Sequence, residues 1–369
     1  MLSEAQLHAL TAQVLWMAFA LAIVFGAIAQ RTHFCTMGAV SDIVTMGDWS
    51  RMRMWALAAG VAVLGFNAMV TLGWVAAGDS LYATPRFIGL SNAVGGLMFG
   101  FGMVLASGCG SKTLVRVGGG NLKSLVVFVV LGVSAFATLK GLTAVWRVMT
   151  VDRVSADWPS GQDLPSLLAH ASGTQRTAWA ALLGLAFGGA LLAWSLARPE
   201  GRRGDVLLGG LGIGAVITAV WWVSGSWGHV GEHPLTLEDT FVATNSQRME
   251  SFSFVSPIAY TLDWLMFFSD RSKALTIGIV STLGVVAGSA AVALATRTFR
   301  WEGFGSIEDT ANHLIGAVLM GVGGVTALGC TIGQGLSGLS TLSVGSMIAL
   351  AGILTGATLA MRWQIWRVQ

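Results

Sequence analysis

GGLMFGFGMVLASGCG (residues 95–110) and GAVLMGVGGVTALGC (residues 316–330) read as two copies of one segment. A shift of 221 positions makes seven of fifteen residues identical: Gly95 and Gly316, Gly100 and Gly321, Gly102 and Gly323, Val104 and Val325, Ala106 and Ala327, Gly108 and Gly329, Cys109 and Cys330. Glycine is about one residue in eight of this chain, so composition alone would match roughly one or two positions. Each copy is an apolar helix that runs into a glycine-flanked cysteine. A short loop of small residues and another apolar helix follow each time. An internal repeat constrains the whole architecture, so it is read before any single residue.

The chain around these copies has 369 residues, 54% hydrophobic and 11% charged, against about 25% charged in soluble proteins. Its apolar runs approach the ~20 residues that cross a ~30 Å hydrocarbon layer. This composition predicts an all-α polytopic membrane protein, a single membrane domain over 1–369 whose partner is the lipid bilayer. A net charge of +3 with no clustered Lys and Arg excludes a nucleic-acid-binding surface. The start, MLSEAQLHALTAQ, lacks the basic n-region of a cleaved leader, which predicts that the first helix stays. Three cysteines are too few and odd in number for a full disulfide framework. Their spacings of 74 and 221 residues do not suggest a zinc knuckle.

Nine transmembrane helices are expected, over 14–29, 54–77, 91–107, 125–139, 178–196, 206–223, 274–295, 314–329 and 344–360. Five Gly-x-x-x-Gly pairs lie in them: Gly96/Gly100, Gly184/Gly188, Gly210/Gly214, Gly284/Gly288 and Gly352/Gly356. Small residues at that spacing let helix backbones approach closely in lipid. Spans one to four make a first repeat (14–140) and spans six to nine a second (206–361). A connecting loop and central span (141–205) lie between. An offset of five spans is odd, so the repeats have inverted topology, and inverted repeats place a substrate site near the midplane. Eight Lys and Arg fall on the N-terminal side and thirteen on the other. This bias puts the N-terminus outside and the C-terminus in the cytoplasm, with the long loops 140–176 and 224–273 outside.

The loops after the two cysteines carry the chemistry. Residues 107–121 and 330–341 are short, small and glycine-rich, so their backbone can approach a ligand closely. Non-helical backbone at membrane depth is tolerated only inside protein or beside a water-filled cavity, which predicts Cys-containing re-entrant loops. A short helix starting at either cysteine would aim its N–H groups at an anion. Lys112 and Arg116 would add positive charge, or else snorkel to headgroups. Inverted symmetry brings Cys109 in from the cytoplasmic side and Cys330 from outside, with Cys35 near the exit. A neutral thiol is a weak donor and a soft acceptor. It can meet an anion's terminal sulfur without a buried charge, which costs ~2.5–3.5 kcal/mol on insertion scales.

Three blocks, RTHFCTMGAVSD (31–42), SGCGSKTLVRVGGGNLKS (107–124) and LGCTIGQGLSGLSTLSVGS (328–346), resemble the conserved blocks of the YeeE/YedE family of bacterial sulfur-transport membrane proteins. The resemblance spans nearly the whole chain. It implies uptake of thiosulfate across the inner membrane for sulfur assimilation, or of another sulfur or selenium compound. It also implies a TusA-like cytoplasmic sulfur carrier as a partner, and functional roles for Cys35, Cys109 and Cys330. Gly108, Gly110, Lys112, Gly329, Thr331 and Gln334 complete the candidate substrate site, with no cofactor or metal.

Other motifs weigh less. His229-Val-Gly-Glu-His233 has the H-x-x-E-H spacing of a zinc site, but Gly231 and Pro234 oppose the helix it needs, so a polar loop is expected. Trp221, Trp222 and Trp227 suit an interfacial belt, and Arg202 and Arg203 a positive-inside anchor. Gly118–Gly120 before Lys123 is no P-loop. No Asp or Glu proton relay stands out, since Asp42 and Asp263 lie near span ends, so the energy source is open. The rival function is a membrane sulfurtransferase with a persulfide on Cys109 or Cys330. A reactive thiol wants a cation beside it; Lys112 serves Cys109, but no charge lies near Cys330 in sequence. That asymmetry favours transport, and a purely structural scaffold would explain neither the repeat nor the cysteines.

Overall fold

The computed structural model of the protein describes residues 3–232, 234, 237–270 and 272–368. Fifteen α-helices account for the fold among these residues. In chain order they are α1 (Glu4–Thr32), α2 (Thr36–Met46), α3 (Ser50–Thr71), α4 (Gly89–Leu105), α5 (Gly110–Gly118), α6 (Leu122–Lys140), α7 (Leu142–Met149) and α8 (Leu164–Ser172). The rest are α9 (Arg176–Leu183), α10 (Gly189–Leu196), α11 (Gly204–Trp222), α12 (Ser256–Met266), α13 (Ile277–Ala295), α14 (Ile307–Thr326) and α15 (Val344–Val368). Strand structure is confined to two short antiparallel pairs, Arg86–Phe87 with Ala156–Asp157 and His229–Val230 with Thr240–Phe241.

Eight helical segments among the described residues are long and apolar enough to cross a membrane. The chain is therefore an all-α polytopic membrane protein. The eighth of the nine expected spans, 314–329, is present as the 20-residue α14. Glu308, Asp309, Asn312 and His313 crowd its first two turns, which keeps it outside the apolar set. The first of these charges are the acidic first turn that an N-terminus favours. The fifth span is interrupted by a π-turn at Gly184–Gly188 between α9 and α10.

Glycine decides how the helices meet. All five Gly-x-x-x-Gly pairs face a neighbour closely enough that a Cβ would collide with it. Gly96 and Gly100 lie on α15, and Gly352 and Gly356 lie reciprocally on α4; Gly284 and Gly288 lie on α1, and Gly210, Gly214, Gly184 and Gly188 on α3. Contacts between α4 and α14 are reciprocal under the 221-residue shift. Gly95 and Gly323 face each other's backbones, and so do their counterparts Gly316 and Gly102. The partners swap in the same sense elsewhere: α1 packs on α13 as α11 packs on α3, and α4 on α15 as α14 on α6.

The long loops are tied down. Gln162 and Leu164 bond across to Val344 and Leu342 at 3.0 and 3.1 Å, which docks loop 141–175 against the start of α15. Buried Asp163 accepts from Arg176 at 2.9 Å and caps α8 through Ser166. His229 forms part of a strand pair and bonds Asp239 at 2.6 Å, not a helix; His233 lies outside the described residues. Trp221 departs from the interfacial expectation. It is fully buried against Phe66 and Tyr82, its indole donating to Ser340 at 3.0 Å. Facing inward on α11, it finds a polar partner for its N–H, as a buried indole requires. Trp222, the next residue, points outward and is exposed.

Candidate functional site

Cysteines 74 and 221 residues apart in sequence converge at the centre of the bundle. Cys35 is 8% exposed, Cys109 1% and Cys330 0%, and all three are free thiols. The Cys35 and Cys109 side chains lie against each other, with the Thr331 hydroxyl also against Cys109. Cys109 Sγ is 3.3 Å from Ser111 Oγ.

One local device places each thiol. A helix ends on a non-glycine residue in the left-handed region, and the cysteine follows two residues later. These residues are His33 (φ 54°), Ser107 (φ 54°) and Leu328 (φ 59°). The chain reverses with a bond back five residues each time: Phe34 to Ala29, Gly108 to Met103, Gly329 to Gly324, the Schellman pattern. Left-handed backbone costs a non-glycine residue about 1–2 kcal/mol, so packing must hold all three turns. The glycines beside the cysteines do not supply the turn. They supply room: a Cβ on Gly108 would meet Lys112 Cγ at 3.2 Å, on Gly110 the Phe254 carbonyl at 2.9 Å, and on Gly329 the Gln334 side chain at 3.1 Å.

Helical segments then start at the thiols, as the loop composition predicts. Cys35 caps α2 and accepts from Gly38 N–H at 3.4 Å. Cys109 is the N-cap of α5 without a side-chain cap bond. Cys330 accepts from Gly333 N–H at 3.4 Å, ahead of a π-turn at Gly333–Gly338. A sulfur that accepts an N–H keeps its own S–H free to donate.

Buried polar atoms without partners include Thr36 Oγ1 and Thr331 Oγ1, on the residues next to Cys35 and Cys330, and Gln334 Oε1 and Ser346 Oγ, which both face Gly338. The Gln334 amide nitrogen bonds the Ala327 carbonyl, which leaves its oxygen the unpartnered end. Such atoms are rare in native interiors and each calls for an explanation. Thr36 was not foreseen, although Cys-Thr occurs at both 35–36 and 330–331.

The two approaches to the cluster differ. Beside Cys35 and Cys109 stand Lys112, Arg116 and Arg51, with His33 among them. Lys112 is half-buried. Arg51 is paired with Asp42 at 3.2 Å. Beside Cys330 lies a cavity of about 190 Å³, lined by Tyr82, Arg147, Glu250, Ser253, Tyr260 and Leu328 among others. Ser253 and the Tyr82 hydroxyl both face Gly333, whose N–H holds Cys330. Burial pushes the Tyr82 phenol up, so it stays neutral. Glu250 lies in the loop before α12, and burial pushes its carboxyl up to about 7. The sequence pointed to none of Tyr82, Arg147, Glu250 or Ser253 as site residues, because the long loops that carry most of them look like ordinary polar connections.

An all-α bundle with eight helical segments apolar enough to cross a membrane, built around three buried thiols, is a multi-pass membrane protein. The chain belongs to the Sulphur transport family, whose model matches residues 31–359. The Escherichia coli (strain K12) protein named thiosulfate transporter TsuA is 25% identical over 366 residues, 92% of each chain. The Spirochaeta thermophila protein of the same name is 23% identical over 369 residues, 96% of this chain and all of its own. A shorter likeness, 29% over 116 residues and 31% of this chain, is to the probable transporter YedE of Escherichia coli (strain K12). The protein is a sulfur-compound transporter.

Proposed function

We propose that the protein takes up thiosulfate across the bacterial inner membrane, from the Glu250 cavity past Cys330, Cys109 and Cys35 to a basic vestibule formed by Lys112, Arg116 and Arg51. The carrying observation is the three buried thiols with the unpartnered hydroxyl and amide oxygens of Thr36, Thr331 and Gln334. Each S–H donates in turn to the terminal sulfur of the anion, and no covalent bond forms. A thiol donor is weak, and weak successive sites let an ion leave as well as enter. Tyr82 and Ser253 supply hydroxyls at the entrance; Gln247-Arg248 ahead of Phe252-Ser253 echoes Gln30-Arg31 ahead of Phe34-Cys35 with one extra residue, so the second repeat carries Ser253 in place of a thiol.

In this reading residues 14–140 and 206–361 are inverted repeats, the segments after Cys109 and Cys330 are re-entrant, the N-terminus is outside and the C-terminus cytoplasmic. The reciprocal contacts of α4 and α14 support that arrangement. Lys112, Arg116 and Arg51 then face the cytoplasm, where a TusA-like sulfur carrier receives the product. The persulfide alternative is favoured only by Lys112 beside Cys109. Uptake of labelled thiosulfate into cells or liposomes, with sulfate and selenite as competitors, tests the proposal. Competition by sulfate equal to that by thiosulfate would refute selection by thiols, and a trapped persulfide after thiosulfate exposure would favour the enzyme.

A further inference from the structure

The entrance cavity holds an acid and a base that the thiol path does not use. The Glu250 carboxylate is approached by Ser246 Oγ at 3.3 Å, and among the described residues no Lys or Arg pairs with it. Its loop is strapped in place: Ser224 Oγ accepts from Glu250 N–H at 2.8 Å, and Met249 pairs with the 79–81 segment. Arg147, from α7, lines the same cavity, and its buried Nε has no hydrogen-bond partner although Asp152 stands 3.5 Å away. The other titratable groups facing Glu250 are the phenols of Tyr82 and Tyr260. Asp263, beyond Tyr260, is held by Lys273 at 2.6 Å.

A dianion entering this space meets the Glu250 carboxylate and a guanidinium, Arg147, whose charge Asp152 already balances at 3.5 Å. With the carboxylate ionised, the cavity repels it. We propose, resting on the transport reading, that Glu250 is the proton site of the entrance, so that each thiosulfate bound takes up one proton onto the Glu250 carboxylate, which removes the one unpaired negative charge the cavity sets against the anion. The proton comes from the outer solution, and no electrons move. The sign follows from linkage. The anion raises the affinity of Glu250 for its proton, so binding is strong below the carboxyl's pKa of about 7 and weakens as pH rises above it. Thiosulfate itself does not titrate in this range.

The test is calorimetric titration of sodium thiosulfate into the purified full-length protein, at pH 8 in two buffers of different ionisation enthalpy. We expect about one proton taken up per anion, and an affinity that falls roughly tenfold from pH 7 to pH 8.5. Glu250→Gln mimics the protonated state, so its affinity becomes flat with pH near the acid value and the proton uptake disappears; Glu250→Asp retains both. Binding with heats independent of buffer, or a Glu250→Gln protein with the wild-type pH profile, overturns the inference and leaves transport standing. No binding at pH 6.5, where Glu250 is already protonated, overturns the transport reading and the inference with it. The wild-type measurement decides the matter even where a variant fails to fold.

Discussion

Gly323→Ala is the sharpest probe of how the helices set the thiols. A Cβ at this position would lie 2.6 Å from Phe99 N, 2.7 Å from the Gly95 carbonyl and 2.9 Å from Met98 Cβ. Two of these atoms are backbone and cannot rotate away. Ordinary contact begins at 3.4 Å, so α4 and α14 must part by about 0.8 Å to clear Phe99 N at 2.6 Å. Overpacking of this kind costs about 1–3 kcal/mol. Gly95→Ala opens the same gap from the other side, its Cβ 2.7 Å from the Gly323 carbonyl. Once the helices have parted, the second methyl enters space already made. The double variant should therefore cost less than the two singles summed, by about 1 kcal/mol. Gly303→Ala, with nothing within 4 Å of its Cβ, should stay within about 0.5 kcal/mol of wild type. Unfolding in detergent measures all four. Uptake should fall with Gly323→Ala, because the bond from Gly329 to Gly324 ties Cys330 to this turn. Two wild-type-like single variants, or strictly additive losses, would refute the packing account.

The thiol path predicts that Cys109→Ser and Cys330→Ser each lower thiosulfate uptake about tenfold or more, and that the double variant loses little further, since either break interrupts one series path; full-rate transport by a folded Cys109→Ser protein would return the cysteines to packing. Cys35→Ser should be milder, because the matching position near Ser253 already lacks a thiol. Lys112→Gln should weaken uptake more than Lys123→Gln, because Lys123 is neutralised by Asp309 at 2.9 Å and Glu302 at 3.6 Å; equal losses would make Lys112 a headgroup anchor. Orientation is tested by labelling single cysteines with an impermeant reagent at Gly231 and Gly204, both open positions. Gly231→Cys should react from outside and Gly204→Cys only after permeabilisation; the reverse would invert the topology. Gly201 is unsuitable, since a side chain there would collide with the Ser195 carbonyl.

The spans and the two copies of the cysteine segment were legible because hydrophobic length and glycine spacing are local properties of sequence. The grouping of Cys109 and Cys330 was legible from their matching positions. The source of the turns was not. The glycines around Cys109 and Cys330 were read as letting the backbone approach a ligand, and nothing in the sequence marked His33, Ser107 and Leu328 as the residues that take the left-handed backbone while glycine admits the neighbours. Packing can hold a non-glycine residue there, and propensity gives no sign of it. The cavity was illegible for another reason. Its lining comes from the loop before α4, from α7, from the loop before α12, and from α12, α13 and the end of α14. No single stretch carries its pattern, and Glu250 looks like any loop acid until burial is known. Trp221 failed for the same cause: adjacent tryptophans look alike in sequence, but one faces Ser340 and the other the surface.

The placement of charge gives the path its physical logic. In the proposed path, Arg147 at the cavity is balanced by Asp152 and Arg51 at the far end by Asp42, Lys112 and Arg116 stand beside Cys35 and Cys109, and the thiols between carry no charged side chain. A cation in the centre would hold a dianion too tightly to release, since opposite charges attract strongly where the surroundings are apolar. Bare apolar walls would exclude the anion outright, for an unpaired ion in such an interior costs far more than a weak donor returns. Thiols and hydroxyls lie between these limits. In the proposed path they would replace part of the anion's hydration without fixing it, and the S–H of Cys330 is available because a backbone N–H already occupies that sulfur as acceptor. The broken symmetry at Ser253 fits the same logic. On the entrance side the donor beside Gly333 is a hydroxyl, which serves a hydrated anion. Cys109 and Cys35 lie side by side, and in the proposed path this is where the anion would have shed water and only its sulfur would distinguish it from harder anions of the same charge.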